Sequence, residues 1–196
     1  MTTKRWWGIR AAGLALSALA LSCAPSIRVY VNPEADPAFY RKIAVLPFAD
    51  MSTASQAGPR VTRAFVTELI MANRFEIVQP EDFGSALRRM GVFRGQDGMY
   101  DPEKLKDAAT QMGVTGILRG AVTEYQMTRN DGGDIPILAF DAELTDVGTG
   151  NVVWRSTISK RGKSRVPIVG GNTRSLGKLT QEACRELVDR LRKRAL

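Results

Sequence analysis

The sequence predicts an α+β fold, a mixed α/β sandwich in which helices pack on a sheet. Between residues 114 and 162, apolar and polar side chains alternate with the two-residue period of strands that have one buried face. On both sides of this stretch, apolar residues recur at the spacing of amphipathic helices. Because a small sheet with one apolar face needs a covering layer, we expect the helices to supply it.

The stretch from Val114 to Gly162 predicts three consecutive antiparallel strands, a meander. Residues 130–134 and 146–151 are rich in Gly, Asn and Asp, which tight connections between strands require. The positions predicted to face the core in the second and third strands are Leu138, Phe140, Ala142, Leu144, Val152, Trp154 and Ile158. The positions predicted to face water are Asp141, Glu143, Thr145, Arg155, Thr157 and Ser159.

The elements before and after the meander follow from local signals. An apolar run over residues 42–48 predicts a buried strand that ends near Pro47. Pro59 is a favourable first residue for a helix, and a cap at Asp101 predicts another. The predicted order is a strand over 42–48, a helix from 59, a strand over 74–78, helices over 80–91 and 102–113, the three strands, and a final amphipathic helix over 173–194.

The amino terminus has the pattern of a secretory signal peptide. Lys4, Arg5 and Arg10 form a positive region. The apolar residues 11–22 are fewer than the ~20 that span a bilayer as a helix. We therefore expect residues 1–22 to be removed.

Residues 20–23 (Ala-Leu-Ser-Cys) resemble the bacterial lipobox, at which the Cys is acylated and becomes the new N-terminus. The alternative is ordinary cleavage, with Cys23 incidental. Acyl chains on Cys23 would hold the protein on a membrane. Because Ala24 rather than Asp follows, we expect the periplasmic face of the outer membrane of a Gram-negative bacterium.

The predicted domains are the lipoprotein signal peptide over 1–22, the lipidated Cys23 with a short leader over 23–40, and a single periplasmic domain over 41–196. In the leader, Ile27, Val29 and Val31 alternate with polar or aromatic residues, so part of it is predicted to pair as an edge strand. After lipidation of Cys23, only Cys184 remains. It lies in a helical pattern, which favours a buried thiol over a nucleophile.

The composition argues against an enzyme. The chain has no His, which removes the usual general base and the commonest zinc ligand. Glu124, Asp141 and Glu143 have the period of a solvated sheet face rather than that of a catalytic pair. No phosphate loop, complete calcium loop or basic stripe with interleaved aromatics is present, although the net charge is +8. We expect no catalytic residue, cofactor, metal or nucleic acid.

Two loops are candidate contact sites. The loop over residues 49–58 would point toward the axis if copies formed a ring, and its candidate lumen or inter-subunit residues are Asp50, Met51, Ser52, Thr53, Ser55 and Gln56. The second loop, over residues 161–173, has an apolar tip flanked by cations, a pattern that suits insertion into a headgroup layer. Its candidate membrane-contact residues are Lys163, Arg165, Val166, Pro167, Ile168 and Val169. A tip that folds against its own domain or a neighbouring subunit is the alternative.

Four segments taken together resemble the lipoproteins related to CsgG, the curli-secretion channel subunit. They are KIAVLPF from Lys42, VTELIMANRFEIVQPEDF from Val66, MGVTGILRGAVTEY from Met112 and LTDVGTGNVVW from Leu144. The resemblance implies a periplasmic subunit, anchored in the outer membrane, that assembles into rings through side-by-side contacts.

The chain departs from CsgG where that subunit has two long membrane-spanning hairpins. At those places it has NDGGDIP and the loop over residues 160–173. A transmembrane strand needs about nine to eleven residues each way. We therefore expect no membrane-spanning hairpin at either place.

Two short relatives of this family imply different functions. PelC, an exopolysaccharide-export lipoprotein, is a compact ring-forming domain whose membrane-dipping residue precedes the last helix. LpoB, an activator of a penicillin-binding protein, has a long Pro-rich spacer. The short leader favours the first: a homo-oligomeric accessory of an export or secretion assembly, with other envelope export proteins as partners. The alternative is an LpoB-like regulator of peptidoglycan synthesis that binds a cell-wall synthase.

Overall fold

The computed structural model describes residues 26–36, 39–95, 99–130, 133–162 and 175–194. Its strands are β1 (Ser26–Val31), β2 (Lys42–Val45), β3 (Ala49–Asp50), β4 (Glu76–Val78), β5 (Gly116–Asn130), β6 (Gly133–Asp146) and β7 (Val152–Arg161). Its helices are α1 (Ala57–Ala72), α2 (Pro80–Arg89), α3 (Pro102–Gln111) and α4 (Leu176–Arg194).

The described strands form one open, mixed sheet in the order β1-β7-β6-β5-β2-β4, with β3 paired to β5. The predicted antiparallel meander is present as β5, β6 and β7. On one side of it β2 pairs parallel to β5 and to β4, and on the other side β1 pairs antiparallel to β7. The edges of the sheet are therefore β1 and β4, which differ in length and direction.

Helices cover the sheet on both faces, which confirms the predicted α+β class. One buried cluster lies between the sheet and α1 and α4, with Phe65, Phe140 and Trp154 among its large side chains. A smaller cluster lies under α2 and α3 and includes Phe83 and Leu87. The thiol of Cys184 is buried in the larger cluster, as predicted.

The alternation in the leader correctly predicts an edge strand. Ser26–Val31 forms β1, and its residues 27, 29 and 31 pack partly against the larger cluster. No helix in the described part of the chain is both long and apolar enough to cross a membrane.

Several local predictions need correction. Val152, predicted to face the core, is only partly buried, and Val153 lies in the larger cluster instead, because the register between β6 and β7 shifts after Leu144. Helix α1 begins at Ala57 rather than Pro59. The Asp50 carboxylate accepts the Ala57 N–H at 2.9 Å and so pairs a backbone donor that the helix itself cannot pair at its N-terminus. The connection predicted over residues 130–134 is shorter, since β5 runs to Asn130 and β6 starts at Gly133. Glu143, predicted to face water, is 5% exposed. Arginines on the two neighbouring strands cover it.

Candidate functional site

The register of the sheet shows which segments leave the fold at the same end. Residue Asn130 of β5 pairs with Gly133 of β6 at the tip of their hairpin. Strand β7 runs toward this tip and ends at Arg161, which pairs with Ile137. Strand β1 starts here as well, because Ser26 pairs with Ser159. We call the end of the sheet that carries Ser26, Arg161 and the hairpin tip the anchor end.

Both predicted membrane contacts are next in sequence to residues that lie at the anchor end. Cys23 and the predicted membrane-contact residues over 163–169 lie outside the described residues. The chain enters the fold at Ser26, and Gly162, the last described residue before the second segment, donates its N–H to the Pro136 carbonyl at 2.8 Å. The structure thus brings the attachment points of these two segments together, which sequence spacing alone did not predict.

The described surface of the anchor end carries exposed cations. Arg129 lies on the hairpin, across from Asp134, and Arg161 lies at the end of β7; all three are exposed. Met127, on the same hairpin, is 46% exposed. Lys160 is committed to an ion pair with Glu186 on α4, with Nζ and Oε2 2.9 Å apart. Exposed Arg side chains next to an apolar one suit a surface that meets anionic headgroups.

The second predicted site, the loop after β3, is fastened to the sheet and to α1. Met51 donates its N–H to the Val122 carbonyl at 2.9 Å, while its side chain is 70% exposed. The Asp50 carboxylate accepts the Ser52 hydroxyl at 2.9 Å and the Ala57 N–H. The Ser52 hydroxyl is the largest cause that lowers the pKa of Asp50 below its usual value. Asp50 therefore caps α1.

The remaining candidates in this loop are accessible. Thr53, Ser55 and Gln56 are exposed, and Ser52 is partly exposed. Gln56 has a φ of 68°, a left-handed conformation that is uncommon outside Gly and marks the entry into α1. The loop therefore presents its polar side chains at the surface.

An ion-pair ladder crosses the sheet face that α2 and α3 leave open. The Glu143 carboxylate on β6 lies between Arg119 of β5, with Nε 2.6 Å from Oε1, and Arg155 of β7, with Nε 3.5 Å from Oε2. Arg155 also approaches Asp141 at 3.8 Å. Burial is the largest cause that raises the pKa of Asp141, Arg155 opposes it, and Glu143 adds to it. Sequence alternation identified this face but not which charges meet across strands.

At the opposite end, Asp146 organises the turn between β6 and β7. Its carboxylate accepts the N–H and the hydroxyl of Thr149 at 2.6 and 2.9 Å, and it also bonds the hydroxyl of Tyr40. Burial alone would raise the pKa of Asp146, but these hydrogen bonds lower it overall. Burial and the bond to Asp146 raise the pKa of Tyr40 to about 12.

We expect Asp146→Asn to lower the free energy of unfolding by about 1–3 kcal/mol at pH 7, because an amide cannot accept all of these bonds and leaves a buried group unpaired. A carboxylate with a lowered pKa stabilises the fold above its unfolded-state value, 3.8, and this contribution is lost as the pH falls below it. Denaturant titrations at pH 7, 5 and 3 should therefore show a smaller acid loss in the variant than in the wild type. Asp107→Asn, exposed on α3, is the control. Equal acid losses for Asp146→Asn and the wild type would contradict this role.

Among the residues that the structure describes, no group of three or more Cys, Asp or Glu side chains is arranged to hold a metal ion.

Comparison with known families identifies the protein at the family level. The family model described as the peptidoglycan-synthase activator LpoB matches residues 58–158. The chain belongs to this family. The match runs from the start of α1 into β7 and so includes the hairpin and the ion-pair ladder. No curated protein matches the sequence.

Solved structures show the same fold. PelC from Paraburkholderia phytofirmans, described as a dodecamer, has 20% identity and a TM-score of 0.60 over 86% of this chain and 97% of that one. Lipoprotein GNA1162 from Neisseria meningitidis has 17% identity and a TM-score of 0.54 over 76% and 99%. At these identities the likeness is evidence of fold alone. The narrower resemblance to CsgG stays a prediction.

Proposed function

We propose that this protein is a non-enzymatic lipoprotein of the outer membrane whose copies form a ring against the periplasmic face. The ring would serve as an accessory of an assembly that exports an extracellular polymer, such as an exopolysaccharide. The observation that carries the proposal is the position of β1. Its first residue, Ser26, lies at the anchor end, beside the end of β7.

This position leaves almost no tether between lipid and fold. Only Ala24 and Pro25 separate Cys23 from β1. Since a residue extends the chain by at most ~3.6 Å, Ser26 would lie within about 11 Å of the acylated Cys23. The domain would therefore stay at the membrane surface with its anchor end toward the lipid.

The same end would hold the second membrane contact. The predicted apolar tip over residues 166–169 follows Gly162, and the exposed Arg129 and Arg161 would face the headgroups. A lipid anchor and a cationic, partly apolar surface are the two signals that stable membrane attachment requires. Assembly into a ring is supported by the fold shared with PelC, which is described as a dodecamer.

Activation of a peptidoglycan synthase is the second candidate function, favoured by the match of the LpoB family model to residues 58–158. Such an activator acts on an enzyme of the cell-wall synthesis machinery. A tether of two residues would not carry the domain from the outer membrane to a synthase anchored in the inner membrane. We therefore rank this function second.

A polymerisation assay separates the two functions. The acylated, detergent-extracted protein is added to a purified peptidoglycan synthase of the same organism, and the rate of glycan-strand polymerisation is measured. We expect no change in rate, and chemical cross-linking in cells should join copies of this protein to one another. A several-fold stimulation, with cross-links to the synthase, would contradict the export proposal and support the activator.

A further inference from the structure

A pocket of about 330 Å³ lies at the end of the sheet opposite the anchor end. Its floor is the face of β5 and β6 that carries Ile117, Arg119 and Thr145, and Ile117 pairs with Thr145 across the two strands. One wall is formed by residues between 99 and 106, at the start of α3, and the other by the turn over residues 146–150. The volume lies within the usual range of ligand pockets, about 300–1,000 Å³.

Part of the lining is apolar. Ile117 and Val147 are buried in the smaller cluster, and Tyr100 and Leu105, which are partly buried, pack against it. Met99, also in the lining, is 60% exposed. The pocket thus offers an apolar and aromatic surface to the non-polar part of a ligand.

The polar part of the lining carries both signs of charge. Arg119 and Lys106 are cations, whereas Glu103 and Asp146 are carboxylates. Neither Lys106 nor Glu103 forms an ion pair within the described residues. The Nε–H of Arg119 is bonded to Glu143, but a guanidinium has further N–H donors. A ligand that is only an anion would meet two carboxylates here, and one that is only a cation would meet two cations.

One hydroxyl in the lining has no partner. Thr145 Oγ1 is shielded from water and makes no hydrogen bond in the described structure. A buried polar atom without a partner is uncommon in folded proteins. A hydroxyl of a ligand would pair with it after rotation of the Thr145 side chain from one staggered position to another.

A sugar suits this combination better than an ion does. Sugar hydroxyls both donate and accept hydrogen bonds, so they pair with ammonium, guanidinium, carboxylate and hydroxyl groups alike. The C–H groups of a sugar ring supply apolar surface for Tyr100, Leu105 and Ile117 to cover. We propose that this pocket binds a neutral sugar residue of a saccharide chain.

The place of the pocket in the assembly rests on the proposed function. With the anchor end at the outer membrane, the pocket of every copy lies at the periplasmic end of the ring, which an outgoing polysaccharide reaches first. Identical pockets repeated around the ring would hold one chain at several points, so that each can bind weakly. The pocket itself belongs to a single chain, and its test does not require the ring.

Saturation-transfer NMR with four tetrasaccharide probes tests the pocket. Maltotetraose and the tetrasaccharide of chitin are neutral, tetragalacturonate is anionic, and the tetrasaccharide of chitosan is cationic. The acylated protein is kept in a detergent that has no sugar headgroup. We expect at least one neutral probe to bind, and to bind more tightly than both charged probes. Binding by neither neutral probe, or tightest binding by a charged one, would overturn the proposal.

Two substitutions locate the binding. Lys106→Met removes the ammonium group, and Thr145→Val removes the unpaired hydroxyl while keeping the shape of the side chain. The neutral probe should bind about tenfold more weakly to Lys106→Met, the usual effect of losing a hydrogen bond to a charged group. It should also bind more weakly to Thr145→Val.

Lys104→Met is the control, because Lys104 is exposed on the same helix and lies outside the pocket. It should bind the probe as the wild type does, and thermal unfolding should show that all three variants fold. Equal affinities for the wild type and all three variants would overturn the assignment to this pocket.

Light scattering on the same samples separates the pocket from the ring. A monomer that binds the neutral probe would contradict the ring and leave the pocket standing. An oligomer that binds no neutral probe would overturn the pocket and leave the ring standing.

Discussion

Replacing Trp154 with Ala is expected to lower the free energy of unfolding by about 3–5 kcal/mol, the usual cost of truncating a buried aromatic side chain. Trp154 is fully buried in the larger cluster. Its strand positions pair with Leu144 of β6 on one side and Val31 of β1 on the other. Loss of the indole would therefore leave a cavity where β1 joins the sheet.

Urea unfolding followed by circular dichroism measures this change, since Trp154 is the only Trp in residues 23–196 and its fluorescence would be lost with the indole. Trp154→Phe is the matched variant. The buried Nε1 has no hydrogen-bond partner in the described structure, so Phe removes a polar group that was unsatisfied and keeps most of the apolar volume. We expect it to lose less than half as much stability. Equal losses for Phe and Ala would show that the packing around the indole has been misjudged.

Gly120→Val is expected to destabilise the fold by at least about 3 kcal/mol, at the upper end of what overpacking costs. A Cβ at Gly120 would overlap the Asp141 carbonyl oxygen and would lie 2.7 Å from Cε2 of Phe48. The first is a backbone atom and the second belongs to a ring that packs against Phe65 and Phe140, so neither can move away easily.

Gly84→Ala is the control for this prediction. Gly84 lies in α2, where an added Cβ meets only the Arg88 guanidinium at 3.6 Å. Ala in place of Gly inside a helix stabilises it by roughly 0.5–1 kcal/mol. Thermal unfolding should therefore shift in opposite directions for the two glycines. A stable, cooperatively folding Gly120→Val protein would contradict the packing described between β5, β6 and Phe48.

The fold can be predicted from the sequence where the periodic apolar residues are the ones that face the core. Alternation predicts β6 and most of β7 correctly because apolar positions such as Phe140 and Ile158 face a single helical layer, but it places Val152 in the core where the structure has Val153. The same alternation predicts that Glu143 is exposed to water, which is wrong. It shows on which face of the sheet a side chain lies, but not which residues of the neighbouring strands cover it. Arg119 and Arg155 cover that carboxylate, and this contact can be predicted only when the strand register is known.

Only part of the candidate site, likewise, can be predicted from the sequence. The alternation of Ile27 and Val29 predicts an edge strand, and β1 is one. That Ser26 lies beside the end of β7 depends on pairing between residues more than a hundred positions apart, which local sequence does not encode. The sequence predicts Asp50 as a candidate contact residue; its carboxylate also caps α1, which can be predicted only when the first residue of the helix is known. The membrane-contact residues over 163–169 stay a prediction.

The absolute mass of the acylated, detergent-extracted protein tests the central claim most directly. Light scattering coupled to size exclusion, with the detergent contribution subtracted, gives the protein mass without a shape assumption. We predict a single species many times the mass of the 21.5 kDa chain, as expected of a closed ring. A clean monomer at high protein concentration would contradict the ring, and with it the export function proposed here.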